Sequence, residues 1–282
     1  TTHPHPGDVT ANVRKILSEY LACGIDPEKA AIYVQSDVKE VLELYLYLNM
    51  NAYLGELQRV TSFKEKARKQ PENVNAGLLT YPTLMAADIL IHRADKVPVG
   101  KDQEQNMEMA RKFARRFNTI YGVEFFPEPQ SYSFGGDAIK VPGLDGSGKM
   151  GKSEGNAIYL IDDAATIRKK VMKAVTDSGP TQPNSEKPEA IANLFTMLKI
   201  VSSADTYDYF NEKYNACEIR YGDLKKQLAE DIVNFTSPIR ERILAYAADT
   251  EYMDKVAREG AEKARASADK TIREVRKIIG FN

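Results

Sequence analysis

The chain has 282 residues with 43% apolar and 28% charged content, which argues against a disordered chain and leaves room for one large or two ordinary folded domains. Its 39 basic and 40 acidic side chains cancel to a formal charge of −1, so a polyanion must be met by a local basic patch and not by a global field. Two distant cysteines, Cys23 and Cys217, lack zinc or redox spacing, and no signal-like or membrane-length apolar run is present, which predicts a reducing cytoplasmic setting away from membranes.

The chain opens TTHPHPGDVT without a Met; His3 and His5 alternate with prolines and predict an extended loop, since no third metal ligand is in view. A helix is expected over 10–22, with Val13, Ile16, Leu17, Tyr20 and Leu21 on one face and Gly24 as its stop. AAIYVQ (30–35), apolar throughout and bounded by turns, reads as a buried parallel strand. Helices follow over 39–50, around 53–60 and over 83–93, and SFKEKARK (62–69) reads as a basic helix face. KVPV (96–99) is a short strand, and 102–118 a helix with Met107, Ala110, Phe113, Ala114 and Phe117 in register. Ile139 and Val141 suggest one more short strand. From about 163 the pattern turns helical, over 164–175, 190–201, 223–247 and 250–279, with a Pro/Ser/Gly-rich loop at 176–190. The last helix carries a stripe of Met253, Val256, Ala257, Ala264, Ala268, Ile272, Val275 and Ile279. This is the grammar of a doubly wound, Rossmann-like α/β domain over 1–160 followed by an all-helical domain over 161–282.

Three stretches raise chemical questions. YPTLMAADILIH (81–92) is apolar nearly all round, yet Asp88 sits in its middle; such a carboxylate needs either a Lys or Arg partner or a ligand N–H to accept. Tyr81 and Met85 precede it on the same helix and supply an aromatic and a soft wall. In KVPVGKDQEQN (96–106) a strand runs through Gly100 into a helix start with Asp102, either an ordinary turn or the strand-end crevice where α/β sheets bind ligands. GLDGSGKMGKSEGN (143–156) matches neither the phosphate-binding GxxxxGK[ST] loop nor GxGxxG. It reads as a mobile lid whose Lys149 and Lys152 stabilise charge on a polyphosphate, or else as a basic loop with no ligand.

KMGKS resembles the KMSKS loop of class I aminoacyl-tRNA synthetases, with Gly151 in place of the first serine. YLGELQRVTSFKEK, AGLLTYPTLMAADIL, VPVGKDQEQ, GKMGKSEGN and KAVTDSG occur in the order and spacing of the tryptophanyl-tRNA synthetases, so the resemblance spans essentially the whole chain. It implies ATP- and Mg²⁺-dependent activation of L-tryptophan to tryptophanyl-adenylate and transfer of the amino acid to tRNA(Trp). By the same resemblance Asp88 accepts the indole N–H, and Tyr81, Met85, Val97, Val99 and Gln103 line that pocket. ATP falls to Gly100, Lys101 and Asp102 on the ribose side, Ile139 on the adenine side, and Lys149, Met150, Gly151, Lys152 and Ser153 at the phosphates, with Lys66 a weaker phosphate contact. Lys149 and Lys152 are the catalytic candidates. Mg²⁺ would come with ATP, with no dedicated protein metal site. The helical domain would bind the anticodon, and 42–57 would lie near the contact of a homodimer.

One departure is at the front. The family's HIGH-like motif and its first strand are not found in the sequence as printed, which leads to the expectation of poor turnover from these residues alone. A tyrosyl-tRNA synthetase and a non-catalytic tRNA-binding fragment are the alternative readings.

Overall fold

In the computed structural model, residues 7–132, 141–151 and 154–281 are described. The chain divides into two compact units, the first made of Thr1–Arg14, Asp26–Ala138 and Glu251–Asn282, the second of Lys15–Ile25 and Ile139–Thr250.

The first unit grows from amphipathic helices and one parallel strand pair. Helix α1 (Asp8–Ala22) begins in it. Helix α2 (Glu40–Met50) buries Val41, Leu44 and Leu48, which recur at helical spacing, and is followed by the short α3 (Leu54–Leu57) and by α4 (Thr61–Lys69). Helix α5 (Ala76–Leu90) starts earlier than the sequence suggests, because Asn75 caps it by accepting from the Leu78 amide at 2.9 Å and Pro82 sits inside it. It packs between α2 and α6 (Glu104–Tyr121), whose Met107, Ala110, Phe113 and Phe117 are buried as the spacing predicts. Gly122, at a φ of +63°, ends α6 in the left-handed region. Strands β1 (Lys96–Pro98) and β2 (Gln130–Tyr132) pair in parallel with Val97 opposite Ser131. A parallel pair reached through a helix is the α/β arrangement inferred from the sequence.

Three expectations are corrected. Residues 30–35 form no strand; the run is partly exposed and ends in a 3-10 turn over Gln35–Asp37. A continuous apolar run is equally suited to packing on a helix, and here it lies against the C-terminal helix α11 (Thr250–Ile279), with Ile32 beside Gly260. A single boundary at 160/161 also fails: Ala264, Ala268, Ile272 and Val275 of α11 belong to the core of the first unit together with Leu44, Leu90 and Phe113. The apolar stripe on α11 was legible, but its partner was not. Val141 lies outside any strand, although its carbonyl accepts from the Met150 amide at 3.0 Å; Ile139 lies outside the described residues.

The second unit is helical. Helix α7 (Ala164–Met172) is capped by Asp163, which accepts from the Thr166 amide at 2.7 Å, and packs on α10 (Tyr221–Ala248) with an Arg168–Glu230 fork at 2.6 and 2.8 Å. Helix α8 (Glu189–Val201) lies against α10 and against α9 (Ala204–Asn215), a helix absent from the sequence reading. Ile167, Val171, Ile191, Leu194, Leu198, Tyr214, Leu224 and Leu228 form the buried centre. No described helix is long and apolar enough to cross a membrane.

Candidate active site

Asp88 lies on α5, half-buried, in a helix that packs on α2 and α6 and buries its own Leu78, Ala86, Ala87, Ile89 and Leu90. Neither a Lys nor an Arg meets it among the described residues; the Gln35 side-chain amide donates to both of its oxygens at 2.8 Å. Burial holds the Asp88 carboxyl above its ordinary range, and the Gln35 hydrogen bond offsets part of that rise. A carboxylate has about four lone-pair directions, so two donated bonds leave acceptor capacity for a ligand N–H. Beside it, the Tyr33 hydroxyl bonds His92 Nε2 at 2.9 Å, and His92 Nδ1 bonds Ser267 Oγ on α11 at 3.1 Å. Burial raises the Tyr33 phenol, with the Asp88 charge adding to it, and burial lowers His92, which is therefore neutral at pH 7.

Tyr81 and Met85 precede Asp88 by two turns and about one turn on α5, and so lie toward the same face. The Tyr81 hydroxyl is hydrogen-bonded to Ser62, and the Lys66 ammonium sits 4.2 Å above the Tyr81 ring. Lys66, a phosphate candidate by sequence, thus shares a corner with a pocket candidate. Met85, Val97 and Val99 are half-buried against the first core. At the end of β1, the Asp102 carboxylate folds back over Gly100, its Oδ1 lying 2.6 Å from where a Cβ on that glycine would be. Gln103 donates to Asp102 at 3.0 Å and accepts from Asn106 at 2.9 Å, leaving the Asn106 amide oxygen buried without a partner. Lys101 begins the 3-10 turn of this corner.

The glycine-rich loop belongs to the second unit and is built around Asn156. The Asn156 amide nitrogen donates to Asp145 Oδ1 at 2.9 Å, Ser147 Oγ at 3.0 Å and the Lys149 carbonyl at 3.0 Å, and its oxygen accepts from the Gly151 amide at 3.0 Å. The Ser147 and Asn156 hydrogen bonds hold the Asp145 carboxyl below its ordinary range. Gly143 has no room for a side chain, since a Cβ would lie 2.3 Å from Asn156 Nδ2. Leu144 is buried in the second core and Met150 packs against it. What reads as a floppy tract is a cradle that fixes the backbone on both sides of the exposed Lys149. Lys152, Ser153 and Ile139 lie outside the described residues.

Sequence reasoning missed Gln35, Tyr33, His92 and Asn156. Gln35 carried one signal, as the polar end of an apolar run; an Asn among glycines carried none.

The family model for class I tRNA synthetases of the tryptophan and tyrosine type matches residues 2–237. The chain is 78% identical over 281 residues to a tryptophan–tRNA ligase of Porphyromonas gingivalis, covering 100% of the chain and 86% of that protein. It is 41% identical over 272 residues to a tryptophan–tRNA ligase of Listeria monocytogenes, covering 95% of the chain and 80% of the relative. Among solved structures, a tryptophanyl-tRNA synthetase of Campylobacter jejuni complexed with ADP and tryptophan superposes with a TM-score of 0.88 at 32% identity, covering 100% of this chain and 86% of that one.

Proposed function

The chain belongs to the class I tRNA synthetases of the tryptophan and tyrosine type and works as a tryptophan–tRNA ligase, and we propose that Asp88 is the group by which it reads the indole ring. The reaction has two steps. A carboxylate oxygen of L-tryptophan attacks the α-phosphorus of ATP, the bond to the bridging oxygen of the β-phosphate breaks, and tryptophanyl-adenylate and pyrophosphate form. A hydroxyl of the terminal ribose of tRNA(Trp) then attacks the activated carbonyl carbon, and AMP leaves. Both steps depend on aligned reactants and on cations placed where charge develops.

The observation that carries the Asp88 reading is its setting: a half-buried carboxylate whose two oxygens are aimed by one neutral amide. Indole offers one donor and no acceptor, so an acceptor-only group distinguishes it from isosteric apolar rings. Tyr81, Met85, Val97, Val99 and Gln103 line the pocket around it. Gly100, Lys101 and Asp102 take the ribose of ATP, Ile139 the adenine, and Lys149, Met150, Gly151, Lys152 and Ser153 the phosphates, with Lys66 as an outlying contact. Mg²⁺ arrives with the ATP phosphates as part of the substrate. Lys149 and Lys152 carry the catalytic charge as pyrophosphate departs. The helices of the second unit, α7 to α10, supply the anticodon-binding surface, and the cytoplasm, where tRNA is charged, is the place of action.

A homodimer completes the reading. Leu42, Leu46 and Met50 form one stripe on α2 and are 63%, 58% and 76% exposed, with Tyr53 and Leu54 continuing the apolar surface. A second copy of this chain is its proposed occupant, and Leu46→Asp is expected to shift the sedimentation coefficient toward that of a monomer.

The test of the indole reading is tryptophan-dependent ATP–pyrophosphate exchange by Asp88→Asn. The variant is expected to lose about 10- to 100-fold in kcat/KM for tryptophan and most of its preference over 1-methyltryptophan. Preserved preference would sink the assignment.

A further inference from the structure

The tryptophan pocket is backed by a helix that sequence order places at the far end of the chain. Helix α11 touches the pocket's supporting residues at two points in the first unit. At the first, a Cβ on Gly260 would lie 1.9 Å from the Ile32 carbonyl oxygen and 2.7 Å from the carbonyl carbon, so helix and segment meet backbone to backbone. Glycine inside a helix is unfavourable relative to alanine, and here the close approach requires it. Ile32 adjoins Tyr33 and stands three residues before Gln35, whose amide holds both Asp88 oxygens. At the second point, two turns further along α11 and so on the same face, Ser267 meets His92 Nδ1 at 3.1 Å, and His92 Nε2 meets the Tyr33 hydroxyl at 2.9 Å. His92 lies just past the end of α5, the helix that carries Asp88. The segment bearing Tyr33 and Gln35 is therefore tied to one face of α11 at two points, directly at Gly260 and through His92 at Ser267.

We propose that Gly260 and Ser267 of α11 are positioning residues for amino-acid selection: they fix the 32–35 segment so that Gln35 aims the Asp88 carboxylate at the indole N–H. The proposal rests on the reading of Asp88 as the indole acceptor. None of the α11 residues touches substrate in this scheme; they act through Tyr33, His92 and Gln35. A loosened segment lets the carboxylate rotate away from the ligand, and the loss falls on tryptophan recognition and not on ATP.

These residues include no tryptophan and 15 tyrosines, so with excitation to the red of tyrosine absorption the emission change of ligand tryptophan reports its binding. Three measurements on the full enzyme decide the matter: tryptophan affinity from that emission, KM for ATP, and the ratio of kcat/KM for tryptophan to that for 1-methyltryptophan. Gly260→Ala is expected to weaken tryptophan binding about tenfold and to lower the ratio, with KM for ATP within about twofold of wild type. Ser267→Ala is expected to act in the same direction, about threefold, and Ser267→Thr, which keeps the hydroxyl, to restore the wild-type ratio. If Gly260→Ala does not fold, the Ser267 pair decides alone. Unchanged affinity and ratio in Ser267→Ala would overturn the proposal, as would equal losses for tryptophan and ATP. Asp88→Asn separates the two layers: if it abolishes discrimination while the α11 variants keep it, only the positioning role falls; if it keeps discrimination, the acceptor reading falls and the inference with it.

Discussion

Asp88 in the first unit and Asn156 in the second are hydrogen-bonded in opposite ways. Asp88 is a charge on a helix, in an apolar surrounding, restrained by one neutral amide and left with acceptor capacity. Asn156 is a neutral amide at the foot of a loop, and it spends its hydrogen-bonding capacity on the chain itself, tying Asp145, Ser147, Lys149 and Gly151 together. The first keeps an unsatisfied direction for a ligand; the second satisfies a backbone so that a neighbouring cation is held out to solvent. On the proposed reading, recognition rests on a rigid helix and charge stabilisation on a braced loop, which suits a cation that must meet a moving phosphate.

The comparison can be broken in order of expected effect. Lys149→Ala removes a cation from the braced loop and is expected to slow ATP–pyrophosphate exchange by about 10² to 10³ in kcat, with tryptophan affinity unchanged; parallel losses in both would mean that the loop shapes the amino-acid pocket. Asn156→Ala leaves Lys149 in place but frees the backbone beside it, and a drop of about tenfold in kcat is expected with KM for tryptophan constant. Asn156→Asp keeps an acceptor for the Gly151 amide yet sets a second carboxylate beside Asp145, and so should be the worse variant.

A smaller effect concerns pH. Because burial raises the Asp88 carboxyl, it takes up a proton at a pH above the usual carboxylate range and then ceases to be a pure acceptor. Tryptophan KM should therefore rise as pH falls through that raised value. Gln35→Leu removes the hydrogen bond that favours the ionised form, so the rise in KM should begin at higher pH than in wild type; a profile shifted to lower pH would contradict the role given to Gln35. The smallest effect is expected from Lys66→Met, which removes only the ammonium above Tyr81 and should change KM for ATP by less than about fivefold.

What could be read in the sequence follows from how local each signal is. The core faces of α6 and α11 repeat with helical period, so their existence and their buried residues were visible. Asp88 was visible because a carboxylate amid apolar neighbours is out of place. Helix α9 was not, since ADTYDYFNEKYN is polar on most sides and buries only Phe210 and Tyr214. The 30–35 run was misread because its fate depends on Gly260, distant in sequence, and nothing local distinguishes a strand from a segment docked on a helix. The division into units was misread for the same reason: a stripe of small and apolar residues on α11 states that something covers it and does not say what.

The return of α11 to the first unit also bears on the order of events at the ribosome. Helices α2, α5 and α6 leave the exit tunnel well before α11, so the core they share with Ala264, Ala268, Ile272 and Val275 stays open until α11 has been made. Contacts so far apart in sequence close slowly, and a nascent chain stopped before α11 would expose the apolar faces of those helices. By the same topology the Gly260 and Ser267 contacts behind residues 32–35 form only after α11 has been made, so a nascent chain stopped before α11 would hold Gln35 and Asp88 without that backing.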